Sequence, residues 1–169
     1  MSIRRFTIAE RPANEAGRQA ALDAYGVAAA AHPELDDIVA EAAAAFDVPT
    51  ALVSLIDRDR QWFPARVGLE AAETPRSISF CSHAIHQDGP FVVPDATADP
   101  RFAGNPLVVG EANIRFYAGA PLVTPEGYRI GTLCIIGTSA RKPLDVIEQQ
   151  RLTAFAREVM DVLEQRRKR

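Results

Sequence analysis

Cysteine is scarce in this chain. Its 169 residues hold two, Cys81 and Cys134. That excludes a disulfide-stapled secreted scaffold and a cysteine-rich zinc site. An excess of basic residues is missing too. The net charge of −3 and pI of about 5.6 argue against electrostatic binding of nucleic acid, which needs a basic domain or face. No apolar run approaches the ~20 residues of a membrane span. The start, Met1-Ser-Ile-Arg-Arg-Phe-Thr7, carries charge without the apolar stretch of a signal peptide. These absences lead us to expect a cytoplasmic protein with neither nucleic acid nor membrane as partner. The length also leaves no room for a separate output domain beside the first, and the Met1 start and Arg166-Arg-Lys-Arg169 finish favour a freestanding protein.

What is present fits one soluble domain. The hydrophobic fraction is 47% and the charged fraction 24%, both ordinary for a globular protein. A chain of this size buries roughly 70% of its unfolded surface, enough for a core without staples. Twelve prolines exceed the average of about 5% and predict a loop-rich middle.

The alanine-rich stretch from Asn14 to Tyr25 predicts a helix, interrupted by Gly26. Pro33 suits the first turn of a second helix, in which Leu35, Ile38, Val39, Ala42 and Phe46 recur at helical spacing until Pro49. Thr50 to Ile56 reads as a strand buried on both faces. Gln61 to Val67 reads as its hairpin partner, with Pro64 requiring an edge position or a bulge. Residues 68–114 carry Gly, Pro, Asp and Thr throughout. A short helix is expected at Ile78 to His86, a short strand at Phe91 to Val93, and a helix start at Asp99-Pro100 that Gly104-Asn-Pro106 stops. Two further strands, Arg115 to Val123 and Tyr128 to Ile136, are apolar on both alternations and so belong between layers. Asp145-x-x-Glu148 matches a capping box opening a last helix, about 145–167. Strands arriving in hairpin pairs favour an antiparallel sheet and the α+β class.

The ordered set of motifs resembles the GAF domain family of bacterial signalling sensors. It comprises Phe46-Asp-Val-Pro-Thr-Ala-Leu-Val-Ser-Leu-Ile-Asp57, Arg60-Gln-Trp-Phe63, Phe80-Cys-Ser-His-Ala-Ile85, Val92-Val-Pro-Asp95, Ile114-Arg-Phe-Tyr-Ala-Gly-Ala-Pro-Leu122 and Ile130-Gly-Thr-Leu-Cys134. The resemblance spans residues 14–169, after an N-terminal extension of residues 1–13. It implies a sheet of five or six antiparallel strands, terminal helices on one face that often form a dimer bundle, and a ligand pocket under a lid, about residues 76–106, on the other. Such domains commonly serve kinases or cyclases, here as a separate output protein. The family does not fix the ligand or cofactor. Bilin-binding relatives carry a cysteine directly followed by histidine, whereas Ser82 separates Cys81 from His83, which disfavours covalent bilin. Cyclic-nucleotide-binding relatives carry an N-K…F…D-E signature, whereas Pro106 follows Asn105, which disfavours that ligand as well.

Several residues suit chemistry under such a lid. Trp62, Phe63, Phe80, Phe102, Phe116 and Tyr117 stand in the elements expected to enclose the pocket, with Cys81, His83, His86 and Cys134 among them. Arg66, Arg76, Arg101 and Arg115 would favour an anionic ligand. Cys81, His83 and His86, with Cys134 as a fourth ligand, form the alternative of a soft metal site. The plainer reading has Cys81 simply buried. Cys81 and Cys134 also admit a thiol-based enzyme resembling free methionine sulfoxide reductases. A third alternative is a dimerising module whose pocket is filled by Trp62, Phe80 and Phe102. In the last helix Leu152, Phe155, Val159 and Val162, widened by Ala156, Met160 and Leu163, provide an apolar band broad enough for the sheet and a partner helix, hence a homodimer.

Overall fold

The computed structural model describes residues 5–26 and 32–167. Two helices come first, α1 (Glu15–Tyr25) and α2 (Pro33–Phe46). Gly26 ends α1 in the left-handed conformation, with φ of 58° and its N–H on the Asp23 carbonyl. Pro33 opens α2 and Asp47, also left-handed, closes it. The hairpin β1 (Thr50–Asp57) and β2 (Arg60–Val67) follows. Then come β3 (Glu73–Pro75), a 3-10 turn (Arg76–Ile78), α3 (Cys81–Ala84), β4 (Phe91–Val93) and α4 (Pro106–Val109). A second hairpin, β5 (Phe116–Val123) and β6 (Arg129–Gly137), leads to α5 (Val146–Arg167).

The strands form one six-stranded antiparallel sheet in the order β3-β2-β1-β6-β5-β4, which is α+β architecture. The first and last hairpins meet in the middle, β1 against β6, so the most apolar strands are central. Side chains alternate between two cores. Ala51, Val53 and Leu55 of β1, with Leu133 and Ile135 of β6, face α2 and α5, where Leu35, Val39, Leu152 and Val159 are fully buried. Each buried leucine or valine of this layer is worth about 1.5–3 kcal/mol over its exposed state. Leu52 and Ile56 of β1 and Cys134 of β6 face the opposite way, into a second core under residues 76–114.

Pro64 is accommodated by both expected devices. The register between β1 and β2 shifts by one residue across Val53 and Leu55, and β3 pairs with Arg60 to Trp62 only, so Pro64 lies at a bulge and beyond the outer ladder. The α5 capping box is formed reciprocally: Glu148 N–H donates to Asp145 Oδ1 at 2.8 Å, and Asp145 N–H to Glu148 Oε1 at 3.1 Å.

The lid departs from expectation in detail. The predicted 78–86 helix is split into the 3-10 turn and a single turn of α3, because Ser79 is extended between them. Asp99-Pro100 opens only a turn, in which Asp99 Oδ1 accepts from Arg101 N–H at 2.9 Å. The segment expected to stop a helix starts one instead. Asn105 caps α4, its Oδ1 accepting from Leu107 N–H at 2.9 Å, and Pro106 occupies the first turn. Asp-Pro and Asn-Pro carry the same local signal, and packing decides which is extended. Among the described residues no helix is long and apolar enough to cross a membrane. Lys168 and Arg169 of the basic finish lie outside the described residues.

Candidate functional site

The second core is not completely filled. A cavity of about 300 Å³ remains between the lid and the β2–β1–β6 part of the sheet. Its walls are apolar: Leu52, Phe63 and Ile136 from the sheet, Phe80, Leu107 and Ile114 from the lid. Gly68 shapes one margin. Its φ of 78° is a conformation that favours glycine, and a Cβ there would lie 2.0 Å from the Pro49 carbonyl oxygen. A larger depression, about 460 Å³, lies beside α5 near the β5–β6 turn. It is more open, and the buried polar cluster described next lies elsewhere.

Polar groups converge at one end of the lid cavity. Gln61 is its centre: Oε1 accepts from Ser54 Oγ at 2.9 Å and Ser79 Oγ at 2.8 Å, and Nε2 donates to Thr74 Oγ1 at 2.9 Å. Next to it sits Cys81, whose sulfur accepts from Tyr117 Oη at 3.1 Å and Thr132 Oγ1 at 3.0 Å. Burial pushes the Cys81 thiol up. Hydrogen bonds from Cys134, then from Thr132 and Tyr117, outweigh it and bring the thiol down to about 7. Cys134 is raised well above its ordinary value, first because it donates to Cys81 and then by burial. Tyr117 is likewise pushed up, by burial and then by the adjacent sulfurs. Tyr117 reaches this position because Gly119 has no side chain: a Cβ there would stand 2.2 Å from the Tyr117 oxygen.

The structure brings together part of the expected site. Phe80, Cys81 and Tyr117 line the cavity, and Cys134 lies under Cys81. Phe102 stacks on Phe80 with ring centroids 4.1 Å apart, within the lid core and off the cavity. Trp62 and Phe116 lie on the other side of the sheet. Trp62 packs partly exposed against the helix-side core under Arg60, and Phe116 is buried there beneath Arg141. Alternation is the cause, since each stands one residue from a lid-facing neighbour, Phe63 and Tyr117 respectively. His83 and His86 turn outward to the N-terminal segment. Their Nε2 atoms donate to the carbonyls of Thr7 at 3.1 Å and Glu10 at 2.7 Å, and burial lowers the His83 imidazole's affinity for a proton. Cys81 points the opposite way, so these three do not share a coordination point, and among the described residues no three His, Cys, Asp or Glu side chains do.

The expected arginines are engaged elsewhere. Arg76 pairs with Glu15 at 2.6 Å, Arg101 pairs with Asp99 at 2.6 Å, and Arg115 donates to the Val108 and Ile114 carbonyls. Arg66 is exposed, and none of the four lines the cavity. An anionic ligand is therefore without the arginine partners expected from the sequence. Sequence reasoning missed Gln61, Ser54 and Thr74. Ser54 inside the apolar run 50–56 was the available signal, because a polar residue on a two-faced strand requires a buried partner.

An antiparallel sheet with helices behind it and a lidded, mostly apolar cavity in front defines a single-sheet α+β domain. The chain belongs to the GAF domain family, whose profile matches residues 31–163. It is 48% identical over 150 residues to a cyclic di-GMP phosphodiesterase of Pseudomonas aeruginosa, covering 88% of this chain and 26% of that protein. The chain thus spans about a quarter of that relative's length. Solved structures share the fold. The GAF domain of an Acinetobacter phosphoenolpyruvate-protein phosphotransferase superposes with a TM-score of 0.64 at 13% identity, covering 92% of this chain and 96% of that one. The free methionine-R-sulfoxide reductase of Neisseria meningitidis superposes with a TM-score of 0.65 at 19% identity, covering 98% of each chain.

Proposed function

We propose that this GAF domain is a sensory module that binds a small molecule non-covalently in the lid cavity and passes occupancy to an output through its terminal helices. The observation that carries this reading is the cavity itself, about 300 Å³, walled mainly by apolar groups with a few polar ones, Gln61 and Thr74 among them, the usual make-up of a ligand site. Phe80, Cys81 and Tyr117 are the proposed ligand contacts. A filled pocket would favour the interaction-module reading instead, and Trp62, cast as one of its fillers, packs on the other face.

A physical route from lid to helices supports the transmission step. Glu15 of α1 accepts two hydrogen bonds from Arg76 at the base of the lid, at 2.6 and 3.1 Å. Movement of residues 76–106 therefore acts on α1 directly. A ligand moves such a two-state element only by binding one state better. The output is of the kind carried by the phosphodiesterase relative, or a kinase or cyclase, in the same chain or a separate one. Pairing of two copies is part of this proposal, although Ala156, Met160 and Leu163 are buried within the subunit. The apolar groups that α5 leaves free are Val146 and Ile147, 68% and 71% exposed. A cytoplasmic setting suits the two free cysteines. Native mass spectrometry of freshly purified protein tests the reading. A stoichiometric small molecule that slows hydrogen exchange in the lid is expected. Equally slow exchange of lid and sheet core, unchanged by any bound compound, would count against it.

One observation favours a second reading. The paired Cys81 and Cys134 fit a thiol reductase acting on a small sulfoxide. The Cys81 sulfur would take the sulfoxide oxygen, leaving a thioether and a sulfenic acid. Cys134 would then close a disulfide and release water. Thiol loss on addition of methionine sulfoxide, abolished in Cys81→Ser, would establish it, and absence of turnover in the wild type ends it.

A further inference from the structure

We infer that the lid cavity selects against negative charge: its ligand is a small neutral molecule, largely apolar, or one that carries a single amine. This rests on the sensory reading above and specifies its ligand class. Size comes first. A volume of about 300 Å³ stands at the low end of the roughly 300–1,000 Å³ of small-molecule pockets, so the occupant is small.

Charge comes next. Among the described residues no Arg, Lys or His lines the cavity, and its single charged lining residue is an acid, Glu111, exposed beyond α4. A buried anion without a cationic or multiply donating partner carries a large desolvation penalty. Donors are also few. The Tyr117 and Thr132 hydroxyl hydrogens are committed to the Cys81 sulfur. The Ser54 and Ser79 hydroxyls donate to Gln61 Oε1. What remains at this end is the second Gln61 amide hydrogen and the Thr74 hydroxyl hydrogen, while at the far end of β1 Thr50 donates to the Gly68 carbonyl and the Thr138 hydroxyl stands apart from this cluster. These suffice for one carbonyl, amide or alcohol and fall short of a phosphodiester or carboxylate. The sulfur of Cys81 adds an electron-rich group that a second anion would have to approach. Cyclic di-GMP, with two phosphodiesters, is on this argument not the occupant of this cavity.

Cys81 reports on its own cavity. Methanethiosulfonates transfer an alkylthio group to a thiolate and release methanesulfinate, so intact mass follows the reaction. The native protein would be treated with the neutral methyl, the cationic aminoethyl and the anionic sulfonatoethyl reagents, each rate divided by that reagent's rate with 2-mercaptoethanol. The expected result is labelling of Cys81, also seen in Cys134→Ala, with the neutral and cationic reagents at least tenfold faster than the anionic one. Glu111→Gln removes any advantage of the cationic over the neutral reagent and leaves the anionic one slow. An anionic reagent within twofold of the neutral one overturns the charge selectivity and leaves the sensory reading standing. No labelling by any reagent, with normal labelling after unfolding in urea, overturns the accessible cavity and both readings with it.

Discussion

Glu15 joins three parts of the chain through one carboxylate. Arg18 on the same helix, 1% exposed, donates Nε and Nη2 at 2.9 Å, and Arg76 donates from the lid base. Burial pushes the Glu15 carboxyl up, but the hydrogen bonds and charges of the two guanidiniums outweigh it and hold it at about 2, below its ordinary 4.5. A carboxyl depressed in the folded state stabilises fully above its unfolded value and loses that contribution as pH falls from 4.5 toward 2. Glu15→Gln is therefore expected to lower stability by about 2 kcal/mol at neutral pH. The difference between the variant and wild type, read as urea midpoints, should shrink over that acid window. A difference that stays constant from neutral pH down to 2 would remove Glu15 as its source. Tyr117→Phe takes one of two hydroxyl donors from the Cys81 sulfur, a loss of about 1 kcal/mol, and leaves burial less opposed. Alkylation of Cys81 in a Cys134→Ala background should then titrate at higher pH than with Tyr117 present. An unchanged profile would mean the hydroxyl does not act on the sulfur.

At the scale of elements, the lid holds together through junctions. The Asn105 side chain caps α4 and also donates Nδ2 to the Ile78 carbonyl at 3.0 Å, joining α4 to the turn before α3. Asn105→Ala should cost about 2 kcal/mol, one cap and one buried hydrogen bond, and speed hydrogen exchange of α3 and α4 more than that of β1 and β6. Uniform acceleration would identify a global rather than a local effect. The extended segment before α1 lies across the same lid. Thr7 N–H donates to the Arg101 carbonyl at 2.8 Å and Gly104 N–H to the Arg5 carbonyl at 3.0 Å, alongside the two histidine contacts. Deleting residues 1–11 removes these four bonds. Faster exchange at His83, Phe102 and Gly104, with the sheet unaffected, is the expected outcome. The segment is invisible to pattern reading, because an isolated extended strap has no period and no turn chemistry.

Two cores sharing one sheet are the feature of the whole molecule that matters for function. The helix-side core is continuous across α2, α5 and the four central-to-outer strands β2, β1, β6 and β5, whereas the lid-side core leaves a cavity. Leu133→Ala and Leu52→Ala compare them. Leu133 is fully enclosed on the helix side, and its truncation should cost 2–5 kcal/mol. Leu52 borders space that already exists, so its truncation should lie near the lower end of that range and enlarge the cavity. Denaturant midpoints with unchanged m-values would measure both, and equal losses would contradict an open lid side.

Sequence by itself determined the elements with strong periods or explicit caps. Pro33, Pro49 and the Asp145/Glu148 box mark boundaries through backbone chemistry that acts within a few residues, and the two-faced strands announced a sheet between layers. It also brought Cys81 forward as a candidate. Only the tertiary structure decided which alternation of each strand faces the lid, and so sent Trp62 and Phe116 to one side and Phe63 and Tyr117 to the other. Only it engaged three of the four arginines with carboxylates and carbonyls and left the cavity without a cation. The reason is physical: a strand's two faces are equivalent until another layer covers one of them, and an arginine's role is set by the partner that reaches it first.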